Sequence, residues 1–442
     1  MDFRSGTLLH FLLLRRRVDP WLLTIAAASI LVVEKVSIVL FAWFVGTGIY
    51  YAIFRPRTLR AVDPGHAVAA IGLAAGAVAI HLLNGSLPED GRYASYPLYF
   101  AAFLPMAAGM TLVRDPVRQV VIGMRAGLLM VAVWAVGALI VNALEGGAGP
   151  FRYGFGVTQT NAAFAITFCA IWSRMKVTGL TGGLANRRIC FYLALVPVLA
   201  TGTRATLPVF LIAGLMDIVH LSRRARTALP SRKVVTAAGL GCVLAVAAAG
   251  WLLAPSLESR FDDTIREVSA LAHEPDPTKG GAPIRAILWG AAAQVIAAHP
   301  VIGIGGQRTI TELDAHLPEQ HRTMLEPLTF SHNALLDEWM QRGILGICLH
   351  AAFFGFCFWR IWRDGPPDIR ENAILMGTLT VAFGALHYLL LVDRHVALYA
   401  LYFAVVISCL RGVRPPFRPR VRICEQNWNG AGDRSQIGSS RP

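Results

Sequence analysis

The chain has 442 residues, 55% of them hydrophobic and 15% charged, with a positive mean hydropathy. It is more apolar and less charged than an ordinary soluble domain, which excludes a water-soluble globule and places the chain in a membrane. The formal charge of +14 does not point to nucleic acid, because the basic residues stand in short clusters beside apolar runs rather than on one folded face.

Apolar segments fall at 19–33, 36–54, 65–82, 95–113, 117–143, 158–175, 188–202, 205–221, 234–254, 333–361, 372–391 and 396–410. Most approach the ~20 residues a bilayer requires, so an all-α polytopic protein with about 12 transmembrane helices is expected. Between the first two segments, Glu34 and Lys35 mark either a tight hairpin or the interior of one long tilted helix. With the N-terminus inside, most of the 41 Lys and Arg fall in cytoplasmic loops, from Arg15, Arg16 and Arg17 to the Arg-rich C-terminal segment. The positive-inside rule then puts both termini in the cytoplasm and the long polar stretch 256–331 outside.

Four regions follow: helices 1–9 over 1–255, an outer loop over 256–331, helices 10–12 over 332–411, and a disordered cytoplasmic tail over 412–442. No cleavable signal peptide is expected, since the first apolar run lacks a small-residue cleavage site. The seven cysteines map to spans or the cytoplasmic side, so no disulfide framework is expected. In the outer loop, Ser256–Ala272 and Arg285–Ala298 have the spacing of amphipathic helices, expected to lie along the membrane surface or cap the bundle. The Pro/Gly-rich "EPDPTKGGAP" between them forms a hinge, and the pair is expected to close as a lid.

Several outer residues can carry chemistry. Arg204 stands in the "ATGTRATLP" bend, and a guanidinium there presents a planar fork to phosphate oxygens or snorkels to headgroups. Arg260 and Arg285 flank the loop hinge and suit a pyrophosphate. Arg152 and Asn161 lie at the mouth of the sixth span and either bind ligand or satisfy a helix entry. His332, followed by Asn333 and an apolar helix face, is placed to take a proton from a hydroxyl; the alternative is an interfacial histidine bonded to Asp337. Asp393, Arg394 and His395 are expected in a tight turn, pairing with one another or with Asp393 orienting His332. His299, His316, His321 and Asp314 lack metal-ligand spacing, so no metal is expected.

The segments "TGTRAT" around Arg204, "RAILWGAAAQVIAAHPVIGIG" from Arg285 and "SHNALLDEWMQRGILG" from Ser331, with "YGFGVTQTNAAFA" as a looser fourth, resemble the O-antigen ligase family. That resemblance implies a GT-C-like transferase at the periplasmic face of the bacterial inner membrane. It also implies an undecaprenyl-pyrophosphate-linked glycan as donor and the lipid A core as acceptor, with His332 catalytic. Arg204, Arg260, Arg285, Arg152, Asn333 and Asn161 are then expected to bind substrate. No cofactor is expected, and a pre-activated pyrophosphate leaving group needs only arginines to neutralise it. A glycan polymerase or a protein O-oligosaccharyltransferase shares the donor and differs in acceptor. An anion transporter built around Arg204 is the remaining class, disfavoured because Asp217 and Asp337 are the few acids read within spans.

Overall fold

The computed structural model describes residues 3–54, 62–110, 113–145, 153–177, 187–225, 265, 269, 277–279, 281–325 and 330–410. Among these residues the protein is helical with no strand. The helices are α1 (Phe3–Ser29), α2 (Glu34–Phe54), α3 (Pro64–Leu83), α4 (Gly91–Met110), α5 (Pro116–Leu144), α6 (Gln159–Ser173), α7 (Arg187–Leu193), α8 (Leu195–Thr201) and α9 (Leu207–Ala225). After a 3-10 turn at Pro277–Lys279 come α10 (Gly281–Ala298), α11 (Gly306–Ala315), α12 (Glu319–Leu325), α13 (Ala334–Asp364) and α14 (Pro367–Gly384). A second 3-10 turn, Leu389–Leu391, leads into α15 (Asp393–Leu410).

Among the described residues six helices are long and apolar enough to cross a membrane: α2 from Lys35, α3, α5 as far as Asn142, α10, α13 and α15. Helices also cover the other expected spans except 234–254, which lies outside the described residues. The exterior agrees with a lipid solvent, since Val68, Val133 and Val381 are each more than 70% exposed. Glu34 begins α2 after a tight turn in which Val33 N donates to Ser29 O, so the first two segments form a hairpin.

Two expected spans have different shapes. Segment 188–202 is two seven-residue helices, because Pro197 lacks the N–H that would bond Leu193 O, and α7 ends at Leu193. Segment 372–391 stops being helical at Gly384, leaving residues 385–392 as a turn. In the outer loop, α10 starts four residues before Arg285. Its exposed face, Gly290, Ala293, Gln294 and Ala297, is small rather than charged, so the expected amphipathic stripe is weak. The helix expected at Ser256–Ala272 lies outside the described residues apart from Ile265 and Ser269.

The core is aromatic. α15 is buried from Val396 through Ile407 on nearly every face, and its Tyr399, Tyr402 and Phe403 meet Phe164, Phe168 and Trp172 of α6 and Phe353 of α13. Edge-on and tilted ring contacts of this kind supply packing that lipid tails do not.

A break in α13 ties the segment between α10 and α11 to this bundle. Gly343 has φ +64 and ψ −166, so the helix is two pieces with free backbone groups between them. Segment 300–305 fills the gap: Ile304 N donates to Met340 O at 2.9 Å, Gly305 N to Gln341 O at 2.9 Å, and Ile344 N returns to Pro300 O at 2.9 Å. A Cβ on Gly343 would lie 2.1 Å from Val301 O, so only glycine allows both the dihedral and the approach.

Beneath the docked segment lies a chain of buried polar groups. The Asp90 carboxylate accepts from Gly306 N and Gln307 N, both at 2.6 Å, capping α11. His81 Nε2 accepts from Arg342 Nε at 3.1 Å, so its Nδ1 carries the hydrogen and donates to Ser86 Oγ at 2.8 Å, 3.2 Å from Asp90. Arg342 also pairs with Glu338 and donates to Tyr93 O at 2.8 Å, while His350 Nδ1 lies 3.2 Å from Glu338. Beside Asp217 and Asp337, the acids expected within spans, Glu338 and Asp19 are buried there too, at 3% and 0% exposed. Asp217 itself is held by Arg174, Arg188 and Tyr192.

Replacement Gly343→Ala is expected to undock segment 300–305 while the remaining helices still insert. Limited proteolysis of the purified variant should reveal new cleavage between α10 and α11; unaltered protection there would show that the break tolerates a side chain.

Candidate active site

The start of α13 builds a half-buried histidine between anchored neighbours. Ser331 donates through its N and Oγ to Asp337 Oδ1, at 2.8 and 2.7 Å, one turn into the helix. Asn333 caps the same helix, accepting from Leu335 N at 3.0 Å and Leu336 N at 3.2 Å. Its Nδ2 donates to Ala385 O at 3.3 Å, tying α13 to the end of α14. Between these two fixed residues His332 takes φ +58, a conformation uncommon for a non-glycine residue and concentrated where the surrounding structure imposes it. The imidazole ring centre is 5.3 Å from Tyr388 and 6.4 Å from His387, both in the turn after α14.

α10 covers the histidine from the loop side. Trp289 Nε1 donates to Ser331 O at 3.0 Å, and Arg285, one helical turn earlier on the same face, brings its charge to His332 and His387. Burial, then that guanidinium, pushes the His332 imidazole down to about 4. The same two causes, with His332 itself, push His387 down to about 3. Both rings are neutral at pH 7, and burial raises the Tyr388 phenol so that it keeps its proton.

A cavity of about 460 Å³ adjoins this group. Tyr93 and Tyr96 of α4, Asn161 of α6, Phe330, Tyr388 and Arg394 contribute to its wall. Tyr388 is shared, facing the cavity and packing on the His332 ring. Aromatic faces interrupted by an amide, the Asp393 carboxylate and a guanidinium suit a ligand with apolar and hydrogen-bonding surfaces, such as a sugar.

The structure brings His332 and Arg285 together and sets Asn161 on the cavity wall. Both ends of the Asn333 amide are engaged, the oxygen by the cap and the nitrogen by Ala385 O. Arg204 is exposed in the bend between α8 and α9, where its carbonyl accepts from Leu207 N. Arg152 and Arg260 lie outside the described residues. Asp337 bonds Ser331 rather than His332, and no hydrogen bond joins Asp393 to His332 among the described residues. Asp393, Arg394 and His395 form the first turn of α15 and diverge. Arg394 donates to Ile30 O, and His395 is buried with ring centres 4.0 Å from Phe164 and 5.4 Å from Phe383. Sequence reasoning missed His387 and Tyr388, because the leucines after them made the whole run resemble one span.

With the geometry in place, comparison with known protein families gives a match. Residues 189–351 match the O-antigen ligase family. A search of curated proteins finds no match. The ligase-family stretch runs from α7 into α13 and contains Arg204, Arg285, Trp289, Ser331, His332 and Asn333, together with the docked segment and the break at Gly343. The rest of the cavity, from Tyr93, Tyr96, Asn161, Tyr388 and Arg394, comes from outside it.

Replacing Asp337 by alanine leaves the Ser331 N–H without its acceptor, a loss of about 1–3 kcal/mol for a buried donor. The Asp337→Ala protein is expected to unfold at lower temperature in detergent and to lose activity through displacement of His332. Wild-type stability with wild-type activity would mean that the Ser331 anchor is dispensable.

Proposed function

We propose that the protein is an O-antigen ligase: it transfers a glycan from undecaprenyl pyrophosphate to the lipid A core oligosaccharide at the periplasmic face of the bacterial inner membrane, without a metal and with inversion. The observation that carries this reading is a neutral, partly buried imidazole beside a guanidinium and packed on Tyr388 of an aromatic cavity wall, within a stretch that matches the ligase family.

His332 takes the proton of the acceptor hydroxyl as its oxygen forms a bond to the anomeric carbon. The bond from that carbon to the pyrophosphate oxygen breaks on the opposite face, which inverts the configuration. Charge then develops on the leaving pyrophosphate, where Arg285 stabilises it. Arg204, Arg152 and Arg260 are the further candidates for the same anion, and Asn161 for a sugar hydroxyl. A leaving group already activated as a pyrophosphate makes a divalent ion unnecessary.

Incubating purified protein with lipid-linked glycan and lipid A core, in detergent and without any ion gradient, tests the reading. Ligated lipid A core is the expected product. Longer lipid-linked glycan alone would assign a polymerase, glycosylated protein a protein transferase, and no covalent product would remove the enzyme reading in favour of transport.

His332→Ala should lower transfer by about 10²–10⁴-fold, the usual contribution of a general base, with the protein still inserted and folded. The pH dependence carries the environment of that base. Because the neutral ring is the active form and its pKa is pushed down to about 4, kcat/KM should stay flat on the acidic side until the pH approaches that value. Arg285→Gln removes one of the two causes and should move the acidic limb upward. A wild-type limb near pH 6.5 would contradict the buried, guanidinium-flanked base.

Treatment with EDTA followed by dialysis is expected to leave the initial rate unchanged. Activity that vanishes on chelation and returns only with Mg²⁺ or Mn²⁺ would require a metal in the mechanism.

A further inference from the structure

His387 is a titratable group beside the proposed reacting centre that the transfer chemistry above does not use. It lies in the turn between α14 and α15, 8% exposed, with its ring centre 4.6 Å from Phe383 and 6.4 Å from His332. Three separate elements thus converge: α10 supplies Arg285, the loop before α13 supplies His332, and the turn after α14 supplies His387. Among the described residues Arg285 is the cation acting on the two rings, and no carboxylate is among the groups that shift either.

A structural role for His387 would be met by ring packing on Phe383 alone, and phenylalanine would serve it equally well. An imidazole adds an N–H that donates to an anion and a nitrogen that gains a proton when negative charge arrives. Placed beside a guanidinium, it suits a ligand with several anionic oxygens spread over two centres.

We propose that His387 is a donor-binding residue, which together with Arg285 holds the pyrophosphate of the lipid-linked glycan beside His332. The inference rests on the reading of the donor as a lipid pyrophosphate and adds to it a histidine from beyond the ligase-family match. The two histidines then face different partners, His332 the acceptor hydroxyl and His387 the leaving group.

The test uses the full-length protein in detergent with farnesyl pyrophosphate as a glycan-free probe, its dissociation constant read by calorimetry. His387→Phe keeps a ring against Phe383 and deletes both nitrogens. It should weaken probe binding by about 10–100-fold, the range of a hydrogen bond to a charged group, and should raise the KM for donor while leaving that for acceptor within about twofold. Farnesyl alcohol should bind the wild type and the variant equally, which separates the anion from the lipid tail. Unchanged probe affinity in His387→Phe, with affinity lost in Arg285→Gln, would overturn the assignment of His387 and leave the proposed function standing. A wild-type protein that binds the probe no better than farnesyl alcohol would instead overturn the donor reading itself. If His387→Phe does not fold, histidine-labelled wild type decides: the His387 ring resonance must move on addition of farnesyl pyrophosphate and not of farnesyl alcohol, and a stationary resonance refutes the contact.

Discussion

The backbone hydrogen bonds between segment 300–305 and the broken α13 are what the rest of the site depends on. A helix opened inside a bilayer exposes amide groups that water cannot reach, so each must find a partner within the protein. Here the partner is the outer loop itself, through Ile304 N to Met340 O and Ile344 N to Pro300 O. The consequence is geometric: the nine residues of α13 before the break and the loop between α10 and α11 move as one piece. Trp289 on α10 then reaches Ser331, and Arg285 is carried to His332. One glycine with an unusual dihedral therefore positions a charge and a base that lie 47 residues apart in sequence.

The buried polar chain from Asp90 to His350 makes that arrangement specific rather than merely stable. Buried ion pairs often contribute little net stability, because desolvation offsets attraction, whereas removing one partner is costly. Arg342 meets His81, Tyr93 O and Glu338 at once, and a register shift of α13 by one residue would strand His81 and Tyr93 O, since only Glu338 moves with it. The Asp90 carboxylate likewise accepts two amides at the start of α11 in only one placement of the loop. The candidate site rests on this assembly, and the polar chain sets where its parts lie.

Much of this was legible in the sequence, and the parts that were not share a cause. The helical, apolar character followed from composition, and the motif around Ser331–His332–Asn333 marked the histidine and its flanking residues, although Asn333 turned out to cap α13. Arg285 stood out as a candidate anion partner, yet its meeting with His332 depends on the docking of segment 300–305, which no local pattern encodes. His81 and Arg342 are 261 positions apart, so their pairing has no sequence signal beyond each being polar inside an apolar run. Pro197 was visible and should have divided segment 188–202, but mean hydropathy outweighed it. His387 and Tyr388 were hidden by Leu389–Leu391, whose apolar character continued the span after the helix itself had ended at Gly384.

The electrostatics of the site also bear on when it works, given the proposed donor. A base held down to about 4 by burial and by Arg285 is weak while the site lacks an anion. Pyrophosphate brings negative charge to the same guanidinium, and opposite charge nearby raises the affinity of an imidazole for a proton. The donor would thus strengthen the base that its own transfer requires. Before the donor arrives, a hydroxyl near His332 meets a poor proton acceptor; afterwards it meets a better one beside an activated anomeric carbon. Such coupling needs no movement of the histidine, only the arrival of charge beside it, and it favours transfer in the donor-loaded site over adventitious chemistry in the empty one.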